Sequence, residues 1–217
     1  MTKVKFIKFC LLFALGTATV AFNSYSKDND ETKRNPATNT IDQGVIINGV
    51  KWATRNVDNP GTFADKPEDT GMFYQWNRKA AWLATGDITN WDSSIPAGDM
   101  WEKANDPSPI GWRVPTLDEI KTLYDSGKVT IEWTAQNGIN GRRFTDIATG
   151  NSIFLPAAGY LGNSDGTLYS VGSDGYYWSR QQYNKVLAYY LYFSSGDAFW
   201  SGCNTRSYGF SVRAVSD

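Results

Sequence analysis

Residues 45–54 have the sequence Val-Ile-Ile-Asn-Gly-Val-Lys-Trp-Ala-Thr, which places two short β-type runs on either side of an Asn-Gly pair. Asn48 and Gly49 accept the positive φ angles of a type I′ turn, and this turn suits the twist of a two-stranded hairpin. The stretch therefore predicts a β-hairpin at the start of the folded domain. We expect that domain to span residues 44–217.

Short β-type runs bounded by turn residues continue from this hairpin to the end of the chain. They cover residues 142–146, 152–155, 176–179, 187–193, 198–201 and 208–215. Residues 187–193 alternate with apolar or aromatic side chains on both faces, which predicts a central strand.

Two helices are indicated. Thr116 and Glu119 have the spacing of a capping box, which predicts a helix that begins there. A weaker pattern predicts a second helix over residues 78–84. Together with the strands, this indicates an α+β fold of mostly short antiparallel strands, one or two helices and long loops.

The N-terminus has the features of a secretory signal over residues 1–21. Its apolar run is shorter than the roughly 20 residues that a membrane span requires, so export is favoured over an uncleaved anchor. We expect no integral span in the mature chain and a location in the periplasm, at the outer-membrane surface or outside the cell. The polar residues 22–43 predict a linker, because they offer almost nothing to bury.

Composition excludes several classes of chemistry. The 217 residues contain no histidine, so a Ser-His-Asp triad, a Cys-His dyad and an HExxH zinc site are all excluded. A formal net charge of −1 gives no broad attraction for phosphate backbones, and we expect no nucleic-acid partner. The sequence predicts no catalytic residue and no metal ligand.

Six strings, in order, resemble one exported bacterial family, the Fibrobacter succinogenes major paralogous domain, which is abundant in Bacteroidetes. They are GVKWATRNV (49–57), GMFYQWN (71–77), GWRVPT (111–116), LPAAGY (155–160), YWS (177–179) and GFSVR (209–213). That family is similar to the C-type-lectin-like fold of sulfatase-modifying enzymes. The resemblance implies paired N- and C-terminal strands, long loops on one side, and adhesin-like binding of a glycan or an envelope protein without catalysis.

Three positions depart from related sequences. The segment after residue 21 resembles the start of Bacteroidetes surface lipoproteins, but Tyr25 stands where their lipidated cysteine would be, so lipidation there is excluded. Family members often carry cysteines at the positions of Ser108 and Ala214. Cys203 is therefore the only thiol of the predicted mature chain, and a buried or incidental role is favoured for it.

The carboxylates favour structural roles. Asp118 and Glu119 suit the first turn of the predicted helix, and Asp165 and Asp174 precede glycines in turns. Calcium is still considered as a cofactor, because lectin-like folds often bind it through loop oxygens. The loop considered for calcium contains Asp87, Asn90 and Asp92. The favoured interpretation is a polar loop exposed to solvent that binds no ion.

A glycan- or protein-binding site is predicted in the loops between residues 160 and 207, where aromatic and polar side chains alternate. The candidate residues are Tyr183, Asp197, Trp200, Asn204 and Arg206. The alternative is that these aromatics belong to the core. Two other functions remain open: an enzyme of the formylglycine-generating or glycan-hydrolase type, and a structural pilus or adhesin accessory subunit.

Overall fold

The computed structural model describes residues 41–84 and 88–217. This part of the chain holds fifteen β-strands, one α-helix of six residues and a single 3₁₀ turn at Lys103–Asn105. In this part of the chain strands account for 40% of the residues and helix for 5%, so the predicted α+β class is wrong. The physical reason is that turn residues interrupt the chain before a helix longer than α1 (Leu117–Thr122) can form.

The strands follow one another along the chain as β1 (Val45–Ile47), β2 (Val50–Trp52), β3 (Phe73–Gln75), β4 (Ala81–Trp82), β5 (Trp112–Arg113), β6 (Val129–Gln136), β7 (Ile139–Asp146), β8 (Ser152–Pro156), β9 (Tyr160–Leu161), β10 (Leu168–Tyr169), β11 (Gly175–Gln182), β12 (Leu187–Phe193), β13 (Ala198–Thr205), β14 (Gly209–Phe210) and β15 (Val215–Ser216).

The first sheet contains four strands in the order β1-β2-β15-β5. Its β1–β2 hairpin confirms the Asn-Gly prediction: Asn48 and Gly49 have φ angles of 45° and 82°, and the strands pair antiparallel. Val215 in β15 lies opposite Trp52 in β2, so the expected pairing of the N- and C-terminal strands is confirmed as well. This sheet closes the two ends of the domain against each other.

The second sheet has five short strands in the order β10-β9-β14-β3-β4. Strand β4 occupies part of residues 78–84, so the helix predicted there is wrong. Trp82 pairs with Phe73 across the sheet and packs against Trp91, with ring centroids 4.9 Å apart. These tertiary contacts outweigh a weak local helix propensity.

Two three-stranded antiparallel sheets complete the domain, β6-β7-β8 and β11-β12-β13. The central position of β12 confirms the prediction for residues 187–193. Sequence reasoning missed β6, although Val129, Ile131 and Trp133 alternate with polar residues. Helix α1 starts as predicted: the Thr116 hydroxyl accepts from the Glu119 amide at 3.1 Å, and the Glu119 carboxylate accepts from the Thr116 amide at 2.7 Å.

Strand β12 separates two clusters of buried side chains. Leu191 and Phe193 point into one cluster, and Ala188 and Tyr190 point into the other. Because side chains alternate along a strand, a single strand supplies both clusters. The second cluster is the one that lies beneath the candidate site.

The folded unit begins at Ile41, so it takes in the last residues of the predicted linker. Asp42 is buried, and its carboxylate accepts hydrogen bonds from the amides of Gly44 and Thr54 at 2.8 and 2.9 Å. The predicted signal, residues 22–40 and Asp87 lie outside the described residues. Across residues 41–84 and 88–217, the structure contains no helix whose length and apolar character would allow it to cross a bilayer.

Candidate functional site

Six tyrosines and one phenylalanine form a connected aromatic surface, which we call the tyrosine surface. Its members are Tyr160 in β9, Tyr169 in β10, Tyr176 in β11, Tyr190 and Tyr192 in β12, Phe199 in β13, and Tyr208 between β13 and β14. Two different sheets therefore contribute to one surface.

Strand register explains half of this arrangement. Tyr192 lies opposite Tyr176 on one side and opposite Phe199 on the other, so a row of three rings crosses the β11-β12-β13 sheet. The Tyr192 and Phe199 rings stack with centroids 4.7 Å apart, and Tyr176 meets Tyr192 edge to face at 5.1 Å. Directly opposite residues in a sheet have side chains within such reach.

The second sheet extends this row. The ring of Tyr160 lies 4.8 Å from that of Tyr176 in an edge-to-face contact, and it stacks on Tyr169 at 5.4 Å. Tyr208 contacts Tyr160 at 5.7 Å. Ring pairs at these separations add stability beyond the area that they bury, so the tyrosines hold one another in place.

Phe210 forms the floor of the surface. It is fully buried, and its ring lies 5.0 Å from the rings of both Tyr176 and Tyr190. Gly202 leaves room for this packing, because a Cβ there would lie 2.7 Å from ring atoms of Tyr190 and Phe199. The floor and the glycine together fix the positions of the rings above them.

The hydroxyl groups of this surface are mostly left to a ligand or to solvent. Tyr192 donates to the carboxylate of Asp174 across 3.4 Å. In the described part of the chain, no hydrogen-bond partner is found for the hydroxyls of Tyr160, Tyr176, Tyr190 and Tyr208, and these hydroxyls are not enclosed by protein. The surface therefore presents flat rings together with free donors and acceptors.

Burial raises the pKa of three of these phenols further above neutral pH. It raises the pKa of Tyr190 to about 12, and it also raises the pKa of Tyr160 and of Tyr176, with nearby Asp174 adding to the last two. A free tyrosine has a pKa near 10. At neutral pH each hydroxyl can thus both donate and accept a hydrogen bond.

Arg206, which the sequence places in the binding site, lies in the interior instead. It is 1% exposed, and its guanidinium donates to the carbonyls of Pro96 at 3.0 Å, of Gly98 at 2.8 Å and of Asn184. The same group stacks over Trp76, 4.3 Å from the ring centroid. Arg206 therefore holds a loop to the core, and its contacts leave it unavailable to a ligand.

The other predicted residues do not converge either. Trp200 points to the face opposite Phe199, where Lys121 of α1 lies 5.2 Å from its ring centroid, beside a cavity of about 560 Å³. Tyr183 is exposed and contacts Tyr189, at a ring distance of 5.4 Å.

Asp197 and Asn204 have backbone roles. The carbonyl of Asp197 accepts from Arg142 at 3.2 Å, and the side-chain oxygen of Asn204 accepts from the Thr205 amide at 2.8 Å. Alternation along β12 could have indicated Tyr190 and Tyr192 from sequence, but nothing local pairs them with Tyr160 or Tyr176.

The remaining candidates are placed as follows. Asp92, from the loop considered for calcium, forms an ion pair with Arg78 at 2.6 Å. No group of three acidic or cysteine side chains able to hold a metal ion occurs among residues 41–84 and 88–217. The thiol of Cys203 is exposed on β13 rather than buried.

Comparison with known proteins gives one match. Residues 129–215 match a family described as a domain of unknown function (DUF8237). The match covers less than half of the chain, but it includes every member of the tyrosine surface. Searches of curated proteins and of solved structures found no match.

Proposed function

We propose that this protein is an exported, non-catalytic module that binds a glycan through the tyrosine surface. The observation that carries the proposal is the set of six tyrosines whose rings are fixed by mutual contacts, while most of their hydroxyls lack a protein partner. Sugars present apolar C–H faces and hydroxyl edges, and tyrosine offers a matching flat face and polar tip. The secretory signal predicted for residues 1–21 supports a function outside the cytoplasm.

A glycan suits this surface better than a protein partner. Protein hot spots are enriched in tryptophan and arginine as well as tyrosine. The tyrosine surface contains neither tryptophan nor arginine, and its charged neighbour is the Asp174 carboxylate, which accepts hydrogen bonds as sugar hydroxyls require. Specific small-ligand sites combine aromatic walls with a few placed polar groups, and this surface has that composition.

A non-catalytic role is supported by the carboxylates whose pKa is shifted, because all of them are held ionised. Five carboxyl groups of the described chain have a pKa below its ordinary value: Glu68, Asp92, Glu119, Asp146 and Asp165. A glycoside hydrolase needs a general acid whose pKa is raised, so that it stays protonated near neutral pH. Hydrogen bonds and turn geometry hold these carboxylates ionised instead.

The proposal is tested by screening the purified chain on a glycan array and measuring affinity for the strongest binder by titration calorimetry. Tyr169→Ala removes an exposed ring, and Tyr192→Phe removes only the hydroxyl beside Asp174. We expect each to weaken binding roughly 5- to 20-fold, in line with the value of one stacking contact or hydrogen bond. Tyr183→Ala, an exposed tyrosine outside the surface, is the matched control and should bind like wild type.

Other outcomes would contradict the proposal in different ways. If only Tyr183→Ala weakened binding, the site would lie elsewhere. If the surface bound an envelope protein and no glycan, the ligand class would be wrong. Hydrolysis of a bound glycan over many turnovers would overturn the non-catalytic assignment.

A further inference from the structure

A second cavity, which shares no lining residue with the tyrosine surface, is rich in cationic side chains. It has a volume of about 320 Å³ and lies between the segment 103–113, Lys79 and β11. Its lining includes the cations Lys79, Lys103, Arg113 and Arg180, the anions Asp106 and Asp217, and one wall formed by Trp112. Four positive and two negative side chains give this cavity an excess of positive charge.

The acidic side chains in and beside the wall form ion pairs with only one of the four cations, Arg113. The carboxylate of Asp106 accepts from the backbone amides of Ser108 and Val114 at 2.9 and 3.0 Å. Asp217 lies 3.8 Å from Arg113, which already makes a two-pronged ion pair with Glu119 at 2.6 and 2.8 Å. These acidic groups are thus engaged with the backbone or with Arg113.

The other three cations have no such partner. Over the described residues, no carboxylate oxygen lies within 4 Å of the side-chain nitrogens of Lys79, Lys103 or Arg180. The backbone of Arg180 is fixed in β11, where its amide donates to Pro115 at 2.8 Å. The guanidinium itself donates one hydrogen bond, from Nη2 to the Trp101 carbonyl at 3.4 Å, and its planar set of donors suits an oxyanion.

Two buried polar atoms in the cavity wall are also unpaired. The hydroxyl oxygen of Ser108 and the Nε of Arg180 are covered from solvent, and neither has a hydrogen-bond partner in the described structure. An unpaired buried donor costs about 1–3 kcal/mol, so native proteins rarely keep one without a use. Both atoms belong to residues that line the same cationic cavity.

We propose that this cavity binds an oxyanion, a carboxylate or sulfate group, carried by a molecule of about monosaccharide size. The Arg180 guanidinium would donate hydrogen bonds to the anion, and rotation of the Ser108 side chain about χ1 would bring its covered hydroxyl to the same group. Lys79 and Lys103 would supply charge at the rim. Trp112 would give the rest of the molecule an apolar face. This site is separate from the tyrosine surface, and the proposal for it does not depend on whether that surface binds a glycan.

The experiment measures thermal unfolding of the purified chain during titration with sodium sulfate, sodium glucuronate or glucose, with sodium chloride keeping the ionic strength constant. Binding to the native state raises Tm with ligand concentration. We expect saturable rises with sulfate, with glucuronate or with both, which separates the two anion chemistries, and no rise with glucose. An equal rise with sodium chloride alone would show a general salt effect and overturn the proposal.

Variants locate the anion. Arg180→Gln should weaken anion binding roughly tenfold or more, as expected for a charged hydrogen bond. Ser108→Ala removes a buried hydroxyl without a partner, so it should leave Tm without ligand unchanged or higher while anion binding weakens several-fold. Arg143→Gln, a half-buried arginine on β7 outside the cavity, is the matched control.

Ser108→Ala and Arg180→Lys keep the proposal falsifiable. If Arg180→Gln does not fold, Ser108→Ala and Arg180→Lys, which keeps the charge but lacks Nε, still test the same contacts. Anion binding that is undiminished in Ser108→Ala and Arg180→Lys would overturn the site. Weakening by Arg143→Gln to the same extent would show that the effect is one of total charge.

Discussion

The two faces of the β11-β12-β13 sheet differ although they belong to the same strands. On one face, Leu191 and Phe193 are fully buried in the core and make only apolar contacts. On the other face, Tyr192 is half-buried, stacks on Phe199 and directs its hydroxyl to Asp174. Both faces are aromatic, but the second carries the connected set of partly exposed tyrosine rings.

This difference shows how an aromatic cluster can be separated into core and binding surface. A core ring is covered on all sides, whereas a ring in a binding surface has neighbours that fix it and one open face. Phe199 and Trp200, adjacent in β13, illustrate the point, because alternation sends them to opposite faces. Aromatic content alone would not have distinguished the two faces.

The largest expected effect is the loss of unfolding free energy on truncating Phe193, which is compared with its neighbour Tyr192 in β12. Phe193→Ala should lower the free energy of unfolding by about 3–5 kcal/mol, because it leaves a cavity in the core. Tyr192→Ala should cost less, about 1–2 kcal/mol, since the ring is partly exposed and loses only its contacts with Tyr176 and Phe199 and the hydrogen bond to Asp174. Urea denaturation followed by circular dichroism measures both values.

Equal losses from Phe193→Ala and Tyr192→Ala would contradict the distinction between the faces. Leu191→Ala serves as the control on the core face and should resemble Phe193→Ala, at about 2–5 kcal/mol.

The next effect tests whether Arg206 is structural. Arg206→Ala should lower the free energy of unfolding by about 2–4 kcal/mol, because the buried carbonyls of Pro96 and Gly98 lose their donor. Glycan affinity of the folded protein should be unchanged, which titration calorimetry at a temperature well below Tm would show. Reduced affinity with unchanged stability would instead return Arg206 to the binding site.

The smallest expected effect is the loss of stability contributed by Tyr177, in β11, at alkaline pH. Burial raises the pKa of Tyr177 to about 12, while the unfolded chain titrates near 10. The folded state keeps this proton longer, so the stability from Tyr177 is present below pH 10 and is lost as pH rises from about 10 to 12. At pH 11 that loss is about 1.4 kcal/mol.

Urea denaturation at pH 9 and pH 11 measures this loss of unfolding free energy. Between these pH values, Tyr177→Phe should lose about 1.4 kcal/mol less than wild type. Tyr183→Phe, at an exposed position, is the control and should retain the wild-type pH dependence. An identical fall in wild type and Tyr177→Phe would show that other tyrosines account for the alkaline loss.

Local signals predicted several elements because their causes are local. The Asn48-Gly49 turn fixes its own φ angles, and the capping box of Thr116 and Glu119 involves groups three residues apart. The helix predicted over residues 78–84 was wrong because its outcome depends on distant partners such as Trp91. Strand β6 was missed although its alternation was visible.

The proposed binding surface shows the same division. The sequence predicted an aromatic recognition site in the loops between residues 160 and 207. The residues named for it (Tyr183, Asp197, Trp200, Asn204 and Arg206) all lie outside the tyrosine surface. The sequence could not show that Arg206 is buried, because that follows from the carbonyls of residues 96, 98 and 184 meeting around one guanidinium. Nor could it place Trp200 against α1 rather than beside Phe199.

By itself, the sequence determined the hairpin at residues 45–54, the start of α1, the two faces of β12 and the lack of histidine chemistry. These depend on backbone preferences, side-chain alternation and composition, which act over a few residues. Only the tertiary structure decided that β9 and β14 bring Tyr160 and Phe210 to Tyr176, and that Lys79, Ser108 and Arg180 share a cavity. Those groupings arise from packing between residues that lie 16 (Tyr160 and Tyr176) to 101 (Lys79 and Arg180) positions apart, which no local preference encodes.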